Sequence, residues 1–266
     1  MTRVALTRAV SASLAQCQLT YLDRTPIDLD RARQQHAAYE ALLSSLGWRI
    51  VRLPTLDDQP DAVFVEDAGI ALDEVAILAP MGAASRAGES ATVEDALSRF
   101  LPIDHLEPPA MLDGGDVLRA GRRLFVGISG RTNAAAVDQL GRLLDPYEYE
   151  VIPVSVEGAL HLKSACSFLG DNSLLANAEW FDLRPFAGMA IVPVEKSEAW
   201  AASVLCIDGH VVIPSGFPRT AQVLSARGLC VDVINLDELR KAEGGPTCLS
   251  ILLPRSIGDG GQARAV

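Results

Sequence analysis

Four times along the chain, an apolar strand pattern, a tight polar turn and a second apolar strand pattern follow one another. They read VFVEDAGIAL-DE-VAILAP, DVLRA-GR-RLFVGI, SACSFL-GDN-SLLANA and ASVLCI-DG-HVVIPS. A two-stranded hairpin is marginal by itself, so such units must bury their apolar faces on one another. The turns recur roughly every 40–50 residues, a period typical of propeller-like repeats. Asp208-Gly209 is a strong two-residue hairpin signal, and the other turns are weaker.

Several units carry a helical pattern. Leu29 to Leu46 places Tyr39, Leu42, Leu43 and Leu46 on one face and stops at Gly47. Ser90 to Phe100 does the same with Val93, Ala96, Leu97 and Phe100, and Asn133 can cap a helix that Pro146 ends. Thr220 to Ala226 and Leu236 to Ala242 are shorter candidates. The strands VALTRAV near the start and CLSILLP near the end lack a hairpin partner. Pairing residues 4–9 with 248–253 would complete a fifth unit and remove two sheet edges. The reading is an α/β ring of five units in one domain over 1–254, followed by a flexible, glycine-rich tail over 255–266. An open α/β sandwich with coincidental spacing is the alternative.

A formal net charge of -11 over 266 residues argues against a general nucleic-acid or anionic-membrane role. The sequence has neither a secretory leader pattern nor an apolar run of membrane-spanning length, so a cytoplasmic location is expected. The five cysteines are scattered and form no CxxC pair, against both a disulfide framework and a zinc site. Cys166, Cys206 and Cys230 sit in apolar runs and read as small buried hydrophobes, while Cys17 is ambiguous.

Four polar clusters stand at the start of the inner strands: Phe64-Val65-Glu66-Asp67, Leu112-Asp113-Gly114-Gly115-Asp116, Leu160-His161-Leu162-Lys163-Ser164 and Gly244-Gly245-Pro246-Thr247-Cys248. Each has a bland explanation: a solvated strand end, a turn, a satisfied core histidine, a packed cysteine. In a closed ring, however, equivalent positions converge, and acids, histidine, lysine and cysteine would share one central cavity. Arg86 and Arg131 fall at equivalent points of adjacent units. Arginines there are usually solvated, but a matched pair suits a carboxylate clamp.

With FVED at 64–67, SR at 85–86, LDGGDV at 112–117, RTN at 131–133, HLKS at 161–164 and TC at 247–248, the chain resembles the dimethylarginine dimethylaminohydrolases of the guanidine-modifying pentein superfamily. The resemblance runs to about Leu253 and implies a five-bladed ββαβ propeller. It implies Cys248 as nucleophile, His161 as proton donor and acceptor, and Asp113 as the acid that holds His161. Arg86 and Arg131 would bind the substrate α-carboxylate. Asp61, Glu66 and Asp67 would take the guanidinium and the amine, with the carbonyls of Leu19 and Ala242 accepting from the α-amine. The segment from Cys17 to Pro26 would form a lid. The expected chemistry converts a methylated L-arginine to citrulline and an amine through a covalent thiouronium, without metal or cofactor. Members often carry Arg-Pro-Gly before the Ser-Arg pair and a second arginine after it. This chain has Pro80-Met81-Gly82 and Ala87, which leaves the substrate less fixed than the chemistry. The alternatives are deiminase-like or amidinotransferase-like chemistry on another guanidine, and a non-catalytic member of the same fold. Because the family contains monomers and dimers, a homodimer stays open.

Overall fold

The computed structural model describes residues 2–257, and within them the repeats fold into five three-stranded sheets. The strands of the first sheet that come early in the chain are β1 (Thr2–Arg8) and β2 (Trp48–Leu53). The second sheet is β3 (Ile70–Ala71), β4 (Ala76–Leu78) and β5 (Ile103–His105). The third is β6 (Val117–Ala120), β7 (Arg123–Ile128) and β8 (Glu150–Ser155). The fourth is β9 (Cys166–Gly170), β10 (Ser173–Ala176) and β11 (Ala190–Pro193). The fifth is β12 (Leu205–Ile207), β13 (His210–Pro214) and β14 (Cys230–Ile234). The last strand, β15 (Ile251–Ile257), returns to the first sheet.

Each sheet repeats one pattern: an antiparallel pair, then a crossover to a parallel third strand. In the first sheet the antiparallel pair comes from the two ends of the chain, with Val4 opposite Leu253 and Leu6 opposite Ile251. The terminal pairing expected from the sequence is therefore present. β15 begins at Ile251 rather than at Cys248, and it runs three residues into the expected tail. The rest of that tail lies outside the described residues.

The crossover helices are α1 (Leu29–Ser45), α2 (Ser90–Leu97), α3 (Ala134–Leu144) and, after the one-turn α4 (Leu162–Ala165), α5 (Pro218–Ala226). Asp28 caps α1 by accepting from the N–H groups of Asp30 and Arg31, and Asn133 caps α3 through Ala136. The fourth sheet has only the short 3-10 turn Arg184–Phe186 at this point. There Phe186 stacks on Phe125 at 4.2 Å and supplies the apolar cover that a helix gives elsewhere. The Leu236–Ala242 candidate shortens to α6 (Asp237–Arg240).

The polar clusters lie just ahead of the inner strands rather than within their first residues. Each meets a short turn that precedes an inner strand: Val65–Ala68, Gly114–Asp116, α4, and the turn containing Cys248, with Asp113 and His161 in extended backbone just ahead of theirs. Cys230 is a second correction. It is exposed on β14, an outer strand.

Candidate active site

Short helical turns from the second, third and fourth sheets meet the turn that enters β15. At this junction Asp61, Asp67, Arg86, Arg131, His161, Ala242 and Cys248 line one small cavity of about 20 Å³, together with Gln18, Phe64 and Glu243. That is about the space of one water molecule. Glycines make the approach close enough. A Cβ on Gly115 would stand 2.7 Å from His161 Nδ1, and one on Gly244 would meet the Phe64 ring at 2.2 Å.

His161 is 3 % exposed and faces an acid at each ring nitrogen. Nε2 lies 3.1 Å from Asp113 Oδ2, and Nδ1 lies 3.8 Å from Asp67 Oδ1. Burial alone would lower its pKa. The charge of Asp67 and the hydrogen bond to Asp113 outweigh burial and lift it to about 9, so the ring is an imidazolium at neutral pH. Asp113 does not line the cavity. It sits behind the ring and also accepts from Gly82 N–H at 2.9 Å. Asp116, the other acid of the same motif, supports the backbone by accepting from Leu162 N–H at 2.8 Å and from Ser129 Oγ at 2.7 Å.

Burial, followed by the charges of Glu66 and Asp67, pushes the Cys248 thiol up to about 12. The N–H of Gly245, 3.4 Å from Sγ, opposes the shift. The sulfur is therefore a thiol until positive charge arrives.

Arg86 is buried and heavily engaged. Its Nε and Nη2 form a fork on Glu89 at 2.9 and 2.8 Å, Nη1 donates to Asp67 Oδ2 at 2.6 Å, and Nη2 also reaches the carbonyls of Asp61 and Phe64. Arg131 is less committed. It lies 3.7 Å from Asp113 and donates to Gln18 Oε1 at 3.1 Å. Gln18 in turn donates its side-chain amide to Ser85 and its backbone N–H to Asp61.

The loop after Gln18 is fastened over the cavity by Glu243. Oε1 of that residue accepts from the N–H groups of Thr20, Tyr21 and Leu22 at 2.9, 2.6 and 2.7 Å. Leu19, half-buried, packs on the core beneath the loop.

Glu66 is placed differently from the other candidates. It pairs with Lys163 and faces a second cavity of about 370 Å³, lined also by Trp48, Ile70, Leu118 and Phe168. The clusters thus feed two cavities, because Glu66 and Asp67, adjacent on one helical turn, point to different ones.

Asp67, Asp113 and His161 bring three ligand-type atoms within 4.8 Å of one another. Both ring nitrogens already face carboxylates, so the imidazolium itself supplies the positive charge there. The sequence reading did not name Gln18, Glu89 or Glu243. Gln18 and Glu243 lie in irregular segments and Glu89 ends the short 3-10 helix Ala84–Glu89, where no apolar periodicity marks them.

Comparison with known proteins gives a consistent picture. A family profile described as "N,N dimethylarginine dimethylhydrolase, eukaryotic" matches residues 14–182. The N(G),N(G)-dimethylarginine dimethylaminohydrolase of Streptomyces coelicolor is 37% identical over 94% of this chain and 96% of its own length. The Pseudomonas aeruginosa enzyme of the same name is 33% identical, over 84% of this chain and 89% of that one. A solved structure of the Pseudomonas aeruginosa protein, a cysteine-to-serine mutant complexed with citrulline, superposes with a TM-score of 0.90 at 30% identity. It covers 95% of this chain and 99% of that one.

Proposed function

This chain belongs to the dimethylarginine dimethylaminohydrolase family, and from that premise we propose that it hydrolyses Nω-methylated L-arginine to L-citrulline and an amine. One observation carries the reading: a cysteine, a doubly acid-flanked histidine, two further acids and two arginines line a single buried cavity. The five sheets are then the blades of a five-bladed propeller with this cavity near its axis, in a cytoplasmic enzyme acting on a small guanidine.

The chemistry follows from the charges. Asp67 and Asp61 receive the cationic guanidinium and hold it planar. Its charge, delivered beside Cys248, lowers the thiol pKa and produces the thiolate only when substrate is present. Cys248 attacks the guanidinium carbon. His161, already protonated, gives its proton to the departing amine, and the carbon stays bound to sulfur as a thiouronium. The neutral imidazole then takes a proton from water, whose oxygen adds to the same carbon. Collapse expels the thiolate and leaves the ureido product. Asp113 holds the ring for both transfers. At the other end, the α-carboxylate takes the place of Gln18 on Arg131. Arg86, with most of its donors engaged, mainly fixes Asp67. With a cavity of roughly 20 Å³, substrate entry in this reading needs the segment from Cys17 to Pro26 to lift as a lid.

The test compares dimethyl-, monomethyl- and unmodified L-arginine by ureido product formation. A methylated substrate should have the highest kcat/KM, and Cys248→Ser should bind it without turnover. If unmodified arginine, or a guanidine lacking a carboxylate, is preferred, the substrate assignment is wrong.

A further inference from the structure

Two carbonyls, those of Leu19 and Ala242, stand as acceptors for the substrate α-ammonium in the reading above, and neither brings a compensating charge. Glu243 does bring one. It follows Ala242 directly, lines the cavity beside Cys248 and His161, and binds the loop just after Leu19. Only Oε1 is used for that purpose. Oε2 is buried and has no hydrogen-bond partner among the described residues. A buried carboxylate oxygen without a donor is costly, and native structures keep few of them without a reason. The backbone of Glu243 adds a second observation. Its φ is +60°, in the left-handed region that non-glycine residues seldom occupy. Strain of this kind persists where a side chain is held in a required direction.

We propose that Glu243 is a substrate-binding and specificity-determining residue whose Oε2 accepts a hydrogen bond from the α-ammonium of the substrate, while Oε1 holds the 20–22 loop closed over it. The loop N–H groups fix the carboxylate without neutralising it, and among the described residues no Lys, Arg or His forms an ion pair with it. One side chain thus couples loop closure to recognition of an α-amino acid. The inference deepens the proposed function and rests on it, since it presumes a substrate that carries an α-ammonium.

The experiment uses the full-length protein and two substrates, Nω-methyl-L-arginine and its deamino counterpart, Nω-methyl-5-guanidinopentanoate. In Glu243→Gln the three loop N–H groups select the amide oxygen, which preserves the clasp and turns an N–H donor toward the ammonium. KM for methylarginine should rise by at least about tenfold, as for a lost hydrogen bond to a charged group. KM for the deamino compound should stay within about twofold, since it lacks that bond. Equal losses on both substrates would reduce Glu243 to a loop clasp and overturn the inference, as would no change on either. Should that variant fail to fold, Glu243→Asp, which keeps the charge but shortens its reach, is measured on the same two substrates. A KM rise for methylarginine that the deamino compound does not share supports the inference, and equal changes on both overturn it. If the wild type turns over neither substrate, the functional reading itself has failed, and this inference falls with it.

Discussion

Acids at both ring nitrogens decide what His161 does across the pH range. Its pKa of about 9 in the fold lies above the ordinary value of 6.5. The protonated ring therefore stabilises the folded state, fully so below about pH 6.5, and that contribution is lost as pH rises through about 9. Denaturant titrations at pH 6, 8 and 10 should show the wild type losing stability over this window and His161→Ala losing much less. The two arginines separate in the same way by their surroundings. Arg86→Ala leaves Glu89 buried without the guanidinium that pairs with it, takes one of two nearby cations from Asp67, and should cost about 3–5 kcal/mol of stability. Arg131→Ala should leave the melting temperature nearly unchanged and raise KM for carboxylate-bearing substrates, by about 2–5 kcal/mol in binding. Thermal melts and initial rates on both variants check this; an unstable Arg131→Ala protein with normal KM would reverse the assignment. At this scale the sequence was informative about residue type but not about direction. FVED announced two acids, yet only the fold shows Asp67 facing His161 and Glu66 facing Lys163.

Short turns and the residues that lead into them, rather than the strands themselves, present the chemistry. Each such turn uses few residues and relies on neighbours for its hydrogen bonds, as α4 relies on Asp116. The longer helices are held by their caps instead. Asp28→Ala removes the acceptor for two N–H groups of α1 and should cost about 1 kcal/mol, lowering Tm by about 2–4 °C with kcat retained. A drop in kcat would show that α1 reaches the site. Element positions were largely legible beforehand because hairpin turns and helix stops are local signals. Asp208 and Gly209, for instance, both take the left-handed backbone that their turn requires. Where the local signal was only an apolar run, legibility failed. Cys230 reads as core, but β14 is an outer strand of its sheet, and exposure depends on strand order.

At the scale of the molecule, apolar packing among the described residues is divided among five clusters rather than gathered in one centre. The first sheet links the ends of the chain, so its closure has the longest loop to bring together. Removing residues 251–257 should abolish cooperative unfolding and turnover together, as followed by circular dichroism and activity. A truncated protein that remained active would show that closure is dispensable. This sheet also imposes an order of events during synthesis. β1 is made before β2, and its apolar residues Val4, Ala5 and Leu6 can find β2 early, but the other edge stays open until β15 emerges. Cys248 arrives only three residues before β15. A growing chain therefore carries an unpaired strand edge until β15 is made, and Cys248 is the last of the cavity residues to be added.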